Sequence, residues 1–492
     1  MNLKEDLYRF IKYAINLIII NLRLPFSESY VYVHCRNVKY NLINKLNSKK
    51  INFSEITESY KKILNFHNLC IKHKVDVPDI YLWTSFACLN LGKNEKWKSL
   101  RLELLEKQKQ LSDKKNYDFD VIEPGHVALT IGNTLTIDAW IKSRILGFQE
   151  NKRLILPLPP QYKNKIVNRC MLNYYKPFIE IIEDPEKAKY YYKNLKYSQA
   201  WHNIRIPSGN NHKPYHSHTS AVYVQSIWDK EGRKPLFKLT EEHRGKGEAT
   251  LRKMGLPSGA WFVTCHVREP HYKDREDFRD SDIVSFYDAF KEITKRGGWV
   301  IRMGDKSMKP LPGMPQVIDY AISEFKSDWM DVFLCASSNF MLGTSSGLSA
   351  ISYIFGVPIA MTNLTPTMCA YLTKKDLFIP RLMRRLEDGR MLSLVELMTS
   401  PYSLGVHDGI YTHINKVKTI PNTSLEIKNL TLEMLDRLDG TMKYSQEEES
   451  LQQDFKRKTA DKEVMIGFPG FPIQCRIGNH FLKSHQISIQ NA

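Results

Sequence analysis

Five short apolar segments between residues 260 and 363, most of them separated by helical stretches, constrain the fold of this 492-residue chain more than any other feature. The helical stretches run over 282–296, 328–336 and 348–355. Strands that alternate with helices pair in parallel through right-handed crossovers, so residues 255–400 are predicted to form an α/β domain with a mostly parallel sheet. The five segments are AWFVTCHVR (260–268), WVIRM (299–303), VIDY (317–320), NFMLG (339–343) and VPIAMTN (357–363).

A shorter alternation of the same kind precedes this region. RLILPLPP (153–160) is predicted as a buried strand that prolines end, and FIEIIED (178–184) as another strand. A helix is predicted over 136–146, where apolar residues recur at helical spacing. Residues 121–250 are therefore interpreted as a second Rossmann-like domain, and two such domains would oppose each other across a cleft.

The two ends of the chain lack this alternation. Residues 1–115 have apolar residues at spacings of three and four, which predicts a helical region. The polar stretch 112–120 is predicted as a linker. After about residue 400 the pattern weakens, and the apolar segment MIGFPGFPIQCRIGNHFL (465–482) is expected to bring residues 401–492 back onto the domains.

The formal charge of +18 favours anionic partners such as phosphorylated donors or anionic lipid. The basic residues are spread along the chain rather than gathered in one stripe, so nucleic acid is not predicted as a partner. The other interpretation of the charge is a solvated, lysine-rich surface.

Cysteine and histidine spacing gives no metal site. The eight cysteines include no CxxC pair, and several lie in apolar runs, which indicates buried free thiols in a reducing, cytoplasmic compartment. The cluster HKPYHSH (212–218) lacks further ligand spacing, so no metal ion is expected.

The first apolar stretch, YAINLIIINLRL (13–24), is too short and too interrupted to span a bilayer comfortably, and no signal-peptide cleavage site follows it. Basic residues flank and punctuate it. Two interpretations stay open: a basic amphipathic helix lying on the inner face of the cytoplasmic membrane, and a first helix packed on the protein's own core.

Ligands of open α/β sheets bind at the carboxyl ends of the strands, so the residues after each strand are the candidates. His266 and Arg268 lie at the end of the first strong strand and point to the same face, because side chains alternate along a strand. Arg268 can clamp a diphosphate with a permanent, forked charge, and such a charge favours a departing nucleoside diphosphate. The alternative is that Arg268 pairs with a nearby carboxylate.

The segment Gly343-Thr344-Ser345-Ser346-Gly347 joins a predicted strand to a predicted helix. Its glycines permit close backbone approach to a ligand, its hydroxyls add donors, and the helix start offers free N–H groups to an anion. Ordinary N-capping by Ser345 or Ser346 is the structural alternative, and capping is compatible with phosphate binding.

Acidic residues near two other strand ends are weaker candidates. Asp328 and Asp331 share one face of a helix, and Asp331, the deeper of the two, is the better candidate for contact with a nucleoside or for orienting the serine-rich turn. Gly304 permits close approach after the second strand, and Asp305 either touches a ribose or caps a turn. A solvated acid is the alternative for Asp328 and Asp331.

Two further groups of residues have open alternatives. The segment 271–282, with Arg275 and Arg279, is either a flap that reaches phosphate or a solvated loop. Gly125 and His126 open the amino-terminal α/β region and would face the cleft. His126 fits a general base, an acceptor-orienting group or a structural histidine.

These segments together resemble a bacterial family of mostly uncharacterised glycosyltransferases, and the resemblance covers most of residues 120–482. More distantly, the arrangement is similar to fucosyltransferases that use GDP-fucose, which have an H-x-R at a strand end, a later Asp-containing helix and a Ser-rich loop. The segments that carry the resemblance are EPGHVAL, HVREP, DFRDSDI, RGGWVIRMGD, KSDWMDVFLCA, LGTSSGL, FGVPIAMTN and RIGNHFL.

The resemblance implies a GT-B fold, no cofactor, and metal-independent transfer of a hexose or deoxyhexose from a nucleotide sugar. By that likeness Arg268 holds the donor diphosphate, and Asp331 and the hydroxyls of 344–346 line the nucleotide pocket. Gly125 and His126 correspond to the glycine turn that faces donor and acceptor. The chain lacks the arginine-led glycine turn with a following Asn-Gln of several such enzymes, so the donor, GDP-sugar included, stays open.

The main hypothesis is a glycosyltransferase that acts on a glycan, a lipid-linked or another surface-polysaccharide acceptor. The first alternative is a non-catalytic module that binds nucleotide or glycan on the same fold, and the second is a transferase of phosphoryl or pyruvyl groups. The chain has no GxxxxGK[ST] and no GxGxxG after a strand, which weighs against a P-loop kinase and a dehydrogenase.

Overall fold

The computed structural model describes part of the chain, which forms two compact units, residues 1–104 and 105–492. The apolar stretch 13–24 lies outside the described residues, so its two interpretations stay predictions. The described residues are 53–72, 81, 84–85, 87–88, 91, 93–195, 198, 203–208, 211–270, 278–367, 373–399, 401–404, 411–412, 415–460 and 473–485.

The first unit is helical where it is described. Helix α1 (Phe53–Lys72) buries one face at the three- and four-residue spacing that predicted it. Helix α2 (Asn94–Lys115) starts in this unit and continues beyond it, so the predicted linker at 112–120 is wrong in its first part. Charge explains the difference, because Lys114 and Lys115 favour the carboxyl end of a helix. The buried face of α1 includes Tyr60, Ile63, Leu64, His67 and Cys70.

The amino-terminal part of the second unit contains a three-stranded parallel sheet in the order β1-β2-β3. A short 3-10 turn at 131–133 precedes α4, and an antiparallel hairpin β4–β5, which the sequence did not predict, precedes α8. The elements are β1 (Phe119–Val121), α3 (Gly125–Ala128), α4 (Thr134–Ile145), β2 (Arg153–Pro157), α5 (Pro160–Lys163), α6 (Arg169–Tyr175), β3 (Glu180–Ile182), α7 (Pro185–Lys193), β4 (Asn203–Ser208), β5 (Asn211–His216), α8 (Ser217–Lys230) and α9 (Glu241–Lys253).

The carboxyl-terminal part is built on a seven-stranded sheet in the order β14-β11-β10-β9-β6-β7-β8, in which every neighbouring pair is parallel. Its elements are β6 (Phe262–His266), α10 (Tyr287–Lys295), β7 (Trp299–Arg302), β8 (Val317–Asp319), α11 (Asp328–Ser337), β9 (Met341–Thr344), α12 (Gly347–Ile354), β10 (Ile359–Leu364), β11 (Leu377–Pro380), β12 (Leu382–Arg385), α13 (Leu394–Leu397), β13 (Val417–Ile420), α14 (Ser424–Leu438), α15 (Gln446–Ala460), β14 (Arg476–Ile477) and α16 (Asn479–Ser484).

The predicted α/β class is confirmed, and all five strands predicted between 260 and 363 are present. They read as continuous apolar runs because both faces of the parallel sheet are covered. The tail of the chain supplies β14, which pairs with β11 at one edge of the sheet. Among the described residues, no helix combines the length and apolar composition that crossing a bilayer requires.

Two hydrogen bonds join residues 168 and 169 of the amino-terminal part of this unit to Asp328, the first residue of α11. The Asn168 amide donates to the Asp328 carbonyl at 2.9 Å, and the Asp328 carboxylate accepts the Arg169 N–H at 2.8 Å. His243 of α9 lies between the two parts, with one ring nitrogen 2.6 Å from the Tyr174 hydroxyl and the other 2.7 Å from the Trp329 carbonyl. These contacts fix the helix that follows β8 against its neighbours.

Candidate functional site

The carboxyl ends of β6, β9 and β11 form one polar edge of the seven-stranded sheet. His266 ends β6, Thr344 ends β9, and Arg381 follows β11. Because all three strands run in the same direction, their ends lie on the same side of the sheet. Arg268 follows β6 by two residues, so the predicted arginine and the predicted serine-rich turn share this edge.

Arg268 and the serine-rich turn are in direct contact. The Arg268 backbone N–H donates to the Thr344 hydroxyl at 3.0 Å, and His266 is opposite Gly343 in the ladder between β6 and β9. Only glycine fits at 343, because a Cβ there would lie 2.1 Å from the His266 carbonyl oxygen. Gly343 thus allows β6 and β9 to approach each other closely, and this close approach fixes the position of Thr344.

The Arg268 side chain takes the partner that the sequence offered as its alternative. Its Nε donates to an Asp280 carboxylate oxygen at 3.2 Å, and 15% of the side chain stays exposed. Asp280 belongs to the charged segment 271–282, of which the structure describes the part from 278 onward. The pairing holds the guanidinium at the sheet edge, with its exposed part toward solvent.

A second arginine reaches the same segment, and the sequence reasoning missed it. Arg381 is buried, donates from Nη2 to the Ser281 hydroxyl at 2.8 Å, and also bonds the Asp280 carbonyl. The available signal was an arginine directly after the apolar, proline-ended segment LFIP. Asp280 and Ser281 thereby join the arginines that follow β6 and β11.

The hydroxyls at the start of α12 are not used for capping in the described part of the chain. Ser346 occupies the N-cap position without a side-chain cap bond, and its hydroxyl oxygen has no hydrogen-bond partner among the described residues. Ser349 instead donates to the Ser346 carbonyl at 2.6 Å. Ser345 is partly exposed beside it. The predicted capping alternative is therefore wrong, since neither serine makes that bond.

Gly347 lies against the amino-terminal part of the unit. A Cβ on Gly347 would come within 2.5 Å of the Ile131 side chain and 2.9 Å of the Gly132 nitrogen. Helix α3, which carries Gly125 and His126, packs against the turn 131–133, to which Ile131 and Gly132 belong. His126 is buried. The start of α12 and the predicted Gly125-His126 turn are therefore linked by a continuous set of contacts.

Asp331 is occupied by protein partners. It accepts a hydrogen bond from the Tyr320 hydroxyl at 2.8 Å and pairs with the Lys326 ammonium. Burial raises the pKa of the Asp331 carboxyl, and Lys326 and Tyr320 act to lower it. Asp331 therefore positions Lys326, a cation that the sequence reasoning did not select.

Two other predicted contacts have local explanations. Gly304 has a φ of 155°, and a Cβ there would lie 2.1 Å from the Met308 sulfur. Asp305 accepts the Ser307 N–H at 2.8 Å and the Ser307 hydroxyl, which is the turn-capping alternative. Both positions shape the loop after β7, and contact with a ribose stays a prediction.

Arg302 ties the ends of three strands together beneath this edge. Only 1% of its side chain is exposed, and it donates to Glu269 at 2.7 Å and Asp319 at 2.9 Å. Burial acts to lower the pKa of the guanidinium, but the two carboxylates raise it above its ordinary value. These ion pairs hold the ends of β6, β7 and β8 together next to the candidate site.

His266 is neutral in this environment. Burial, followed by the charges of Arg268, Arg302 and Lys326, lowers the pKa of the imidazole to about 4, although Asp305 acts in the opposite direction. Its Nδ1 is covered and has no hydrogen-bond partner among the described residues. A neutral ring beside three cations indicates a local field that favours an anion at this edge.

The neutral state of His266 predicts a pH-dependent stability. The unfolded chain takes up the proton near pH 6.5, whereas the folded chain does so only near 4. The neutral imidazole therefore contributes to the free energy of unfolding, fully above pH 6.5 and less and less as the pH falls toward 4. The loss between pH 6.5 and 5 is up to about 2 kcal/mol. Urea unfolding of the wild type and of His266→Phe should diverge over that range. Parallel curves for the two proteins would contradict the assignment.

The remaining candidates are placed only in part. Arg279 lies with its guanidinium 5.3 Å from the Phe278 ring centre, and Arg275 lies outside the described residues. The segment 212–218 is described for its backbone alone, in β5 and the start of α8. Within the described ranges, no three His, Cys, Asp or Glu side chains form a group that could hold a metal ion.

Comparison with known proteins gives two named structural similarities. The chain is similar to Escherichia coli ADP-heptose lipopolysaccharide heptosyltransferase II, with 12% identity over 54% of this chain and 90% of that one and a TM-score of 0.35. It is also similar to a glycosyltransferase of family 9 from Veillonella parvula, with 10% identity over 46% of this chain and 62% of that one and a TM-score of 0.22.

At these TM-scores the likeness is coarse and identifies neither donor nor acceptor. No family model matches the chain, and no curated protein matches its sequence. The similarity to fucosyltransferases stays a prediction.

Proposed function

We propose that this protein is a glycosyltransferase that binds the diphosphate of a nucleotide sugar at the carboxyl edge of the seven-stranded sheet. The observation that carries the proposal is the hydrogen bond from the Arg268 backbone N–H to the Thr344 hydroxyl, which puts a residue with a partly exposed guanidinium on the same sheet edge as the strand end that leads into α12. The donor would be a nucleotide sugar, with GDP-sugar as one option. The acceptor would be a glycan, a lipid-linked sugar or another surface polysaccharide.

The electrostatics at this edge suit the transfer step. When the sugar–oxygen bond breaks, negative charge grows on the departing diphosphate, and fixed cations stabilise that state more than the intact donor. Arg268 and Lys326 would be those cations, and Asp280 and Asp331 hold them in place. Departure of the diphosphate needs charge stabilisation, and in this proposal these residues would supply it in a metal-independent transfer.

The remaining candidate residues are given proposed roles, supported by their positions. His126 and Gly125 lie on the helix that packs against the 131–133 turn, which in turn contacts Gly347. We assign His126 as the general base or acceptor-orienting group. Ser345 and Ser346 would donate hydrogen bonds to the phosphate oxygens. Gly304 and Asp305 would contact the nucleoside. The amino-terminal region would bring the enzyme to the inner face of the cytoplasmic membrane, where lipid-linked acceptors are present.

The second candidate is a module that binds a nucleotide or glycan without turnover. The pairing of Arg268 with Asp280 favours it, because an arginine already paired is less available to a reacting diphosphate. Binding alone does not separate the two candidates, whereas release of nucleoside diphosphate from a nucleotide sugar does.

A thermal-shift panel of nucleoside diphosphates and their sugars tests the proposed donor site. We expect one base to raise the melting temperature, since a ligand at a hundred times its Kd adds about 2.7 kcal/mol to the stability of the folded state. The same ligand should give no shift with Arg268→Ala. If no nucleotide shifts the wild type, or if the variant responds equally, the donor site is not at this edge.

A further inference from the structure

A basic cavity lies at the other end of the seven-stranded sheet. Its volume is about 530 Å³. Seven of the described residues line it; four of these are Lys or Arg, and none of the seven is acidic. The lining residues are Lys374, Gln453, Lys456, Arg457, Ile473, Gln474 and Arg476.

The cavity is separate from the candidate donor site. Lys374 precedes β11, and Arg476 begins β14, where it is next to Leu377 in the strand ladder. Arg381, in contrast, follows the carboxyl end of β11. The parallel strands therefore place the cavity at their amino ends and the donor site at their carboxyl ends.

Two of the four cations have carboxylate partners. Arg476 donates from Nη1 to Glu449 at 2.8 Å, and Arg457 pairs with Asp454 at 2.5 Å. The other two, Lys374 and Lys456, form no ion pair with any described residue, although the Lys456 ammonium donates to the Gln474 carbonyl at 3.3 Å. The cavity therefore carries an excess of about two positive charges that the described protein groups do not balance.

Arg476 is held in a fixed position beside these two lysines and keeps unused donors. Its guanidinium stacks 3.8 Å from the Tyr444 ring centre, and its Nε and Nη2 have no hydrogen-bond partner among the described residues. Burial lowers the pKa of Lys456, and the charges of Arg476 and Lys374 lower it further, although Cys475 and Glu449 act in the opposite direction. A bound anion would relieve the repulsion among these three cations.

We propose that this cavity binds a small phosphate anion of two or three negative charges. The charge matches the excess, and Lys and Arg are the side chains that bind phosphate oxygens. None of the described residues that line the cavity is aromatic, so the described lining offers contacts to phosphate and no ring on which a base could stack. The same chemistry is offered by free pyrophosphate or orthophosphate and by a phospholipid headgroup.

Calorimetric titration with inorganic pyrophosphate and with orthophosphate tests the proposal. Because a diphosphate also fits the proposed donor site, the titration is done on Arg268→Ala protein as well as on the wild type. In both, the double variant Lys374→Gln, Lys456→Gln should weaken binding at this cavity at least about tenfold, since it removes two charge-assisted contacts. The matched control is Lys291→Gln, Lys295→Gln, which removes two exposed charges on α10 and should leave affinity unchanged.

The outcomes separate this cavity from the donor site. Pyrophosphate binding that survives Arg268→Ala and is lost in the Lys374, Lys456 variant supports the proposal even if no nucleotide sugar binds. Vesicles that contain phosphatidylglycerol provide the second arm: binding to them that depends on the same two lysines, with no affinity for free phosphate, identifies a lipid phosphate as the ligand. Equal weakening by the control variant, or no binding in either arm, overturns the proposal.

Discussion

Replacement of Arg268 by alanine is expected to reduce sugar transfer by about 10²- to 10³-fold, the loss that follows removal of one preorganised donor to a developing negative charge. The guanidinium is held by Asp280 at the edge where β6 and β9 end, with its backbone bound to Thr344. Replacing it by alanine removes the positive charge that would stabilise the departing diphosphate and leaves the backbone hydrogen bonds between the strands unchanged. The measurement is kcat/KM for release of nucleoside diphosphate, with the donor found in the thermal-shift panel.

Three further variants test whether the loss of activity is specific to the Arg268 guanidinium. Arg268→Lys keeps the charge but not the forked geometry and should recover part of the activity. Arg153→Ala removes an exposed arginine that is paired with Glu180 in the amino-terminal sheet, and it should be fully active. Because Asp280 loses a partner in Arg268→Ala, the variant Arg268→Ala, Asp280→Asn tests whether loss of activity reflects an unpaired carboxylate. Full activity of folded Arg268→Ala would refute the assigned role.

The parallel sheet and the position of its polar edge were predictable from the sequence. Buried strands in a parallel sheet read as apolar runs with helices between them, so their carboxyl ends could be located within one or two residues. The parallel direction of β6 and β9 then required that Arg268 and Thr344 share an edge, and the structure places them in contact. The order of strands and helices along the sequence was sufficient to predict this shared edge.

Packing partners far apart in sequence were not predictable in the same way. Gly347 was taken as a position of ligand approach, but it is next to the side chain of Ile131, which belongs to the amino-terminal part of the unit. Arg381 was missed because the segment LFIP before it does not belong to the regular alternation. The strand β14 has two residues, too few for any periodic signal.

Alanine at position 343 is expected to destabilise the protein by about 3 kcal/mol or more, the upper range for overpacking in a rigid core. A Cβ there would lie 2.1 Å from the His266 carbonyl oxygen and 3.2 Å from its nitrogen. Both are backbone atoms of the neighbouring strand, so no side-chain rotation can relieve the overlap and the strands must separate. Urea denaturation of Gly343→Ala measures the loss.

Gly313→Ala is the matched control, because a Cβ at 313 would meet no atom within 4 Å. It should leave stability within about 0.5 kcal/mol of the wild type, as expected for a surface substitution. Separation of β6 from β9 would also lengthen the hydrogen bond between the Arg268 N–H and the Thr344 hydroxyl. Gly343→Ala should therefore weaken nucleotide binding even at temperatures where it is folded, whereas a loss of stability with unchanged affinity would show that the donor pocket does not depend on this strand pair.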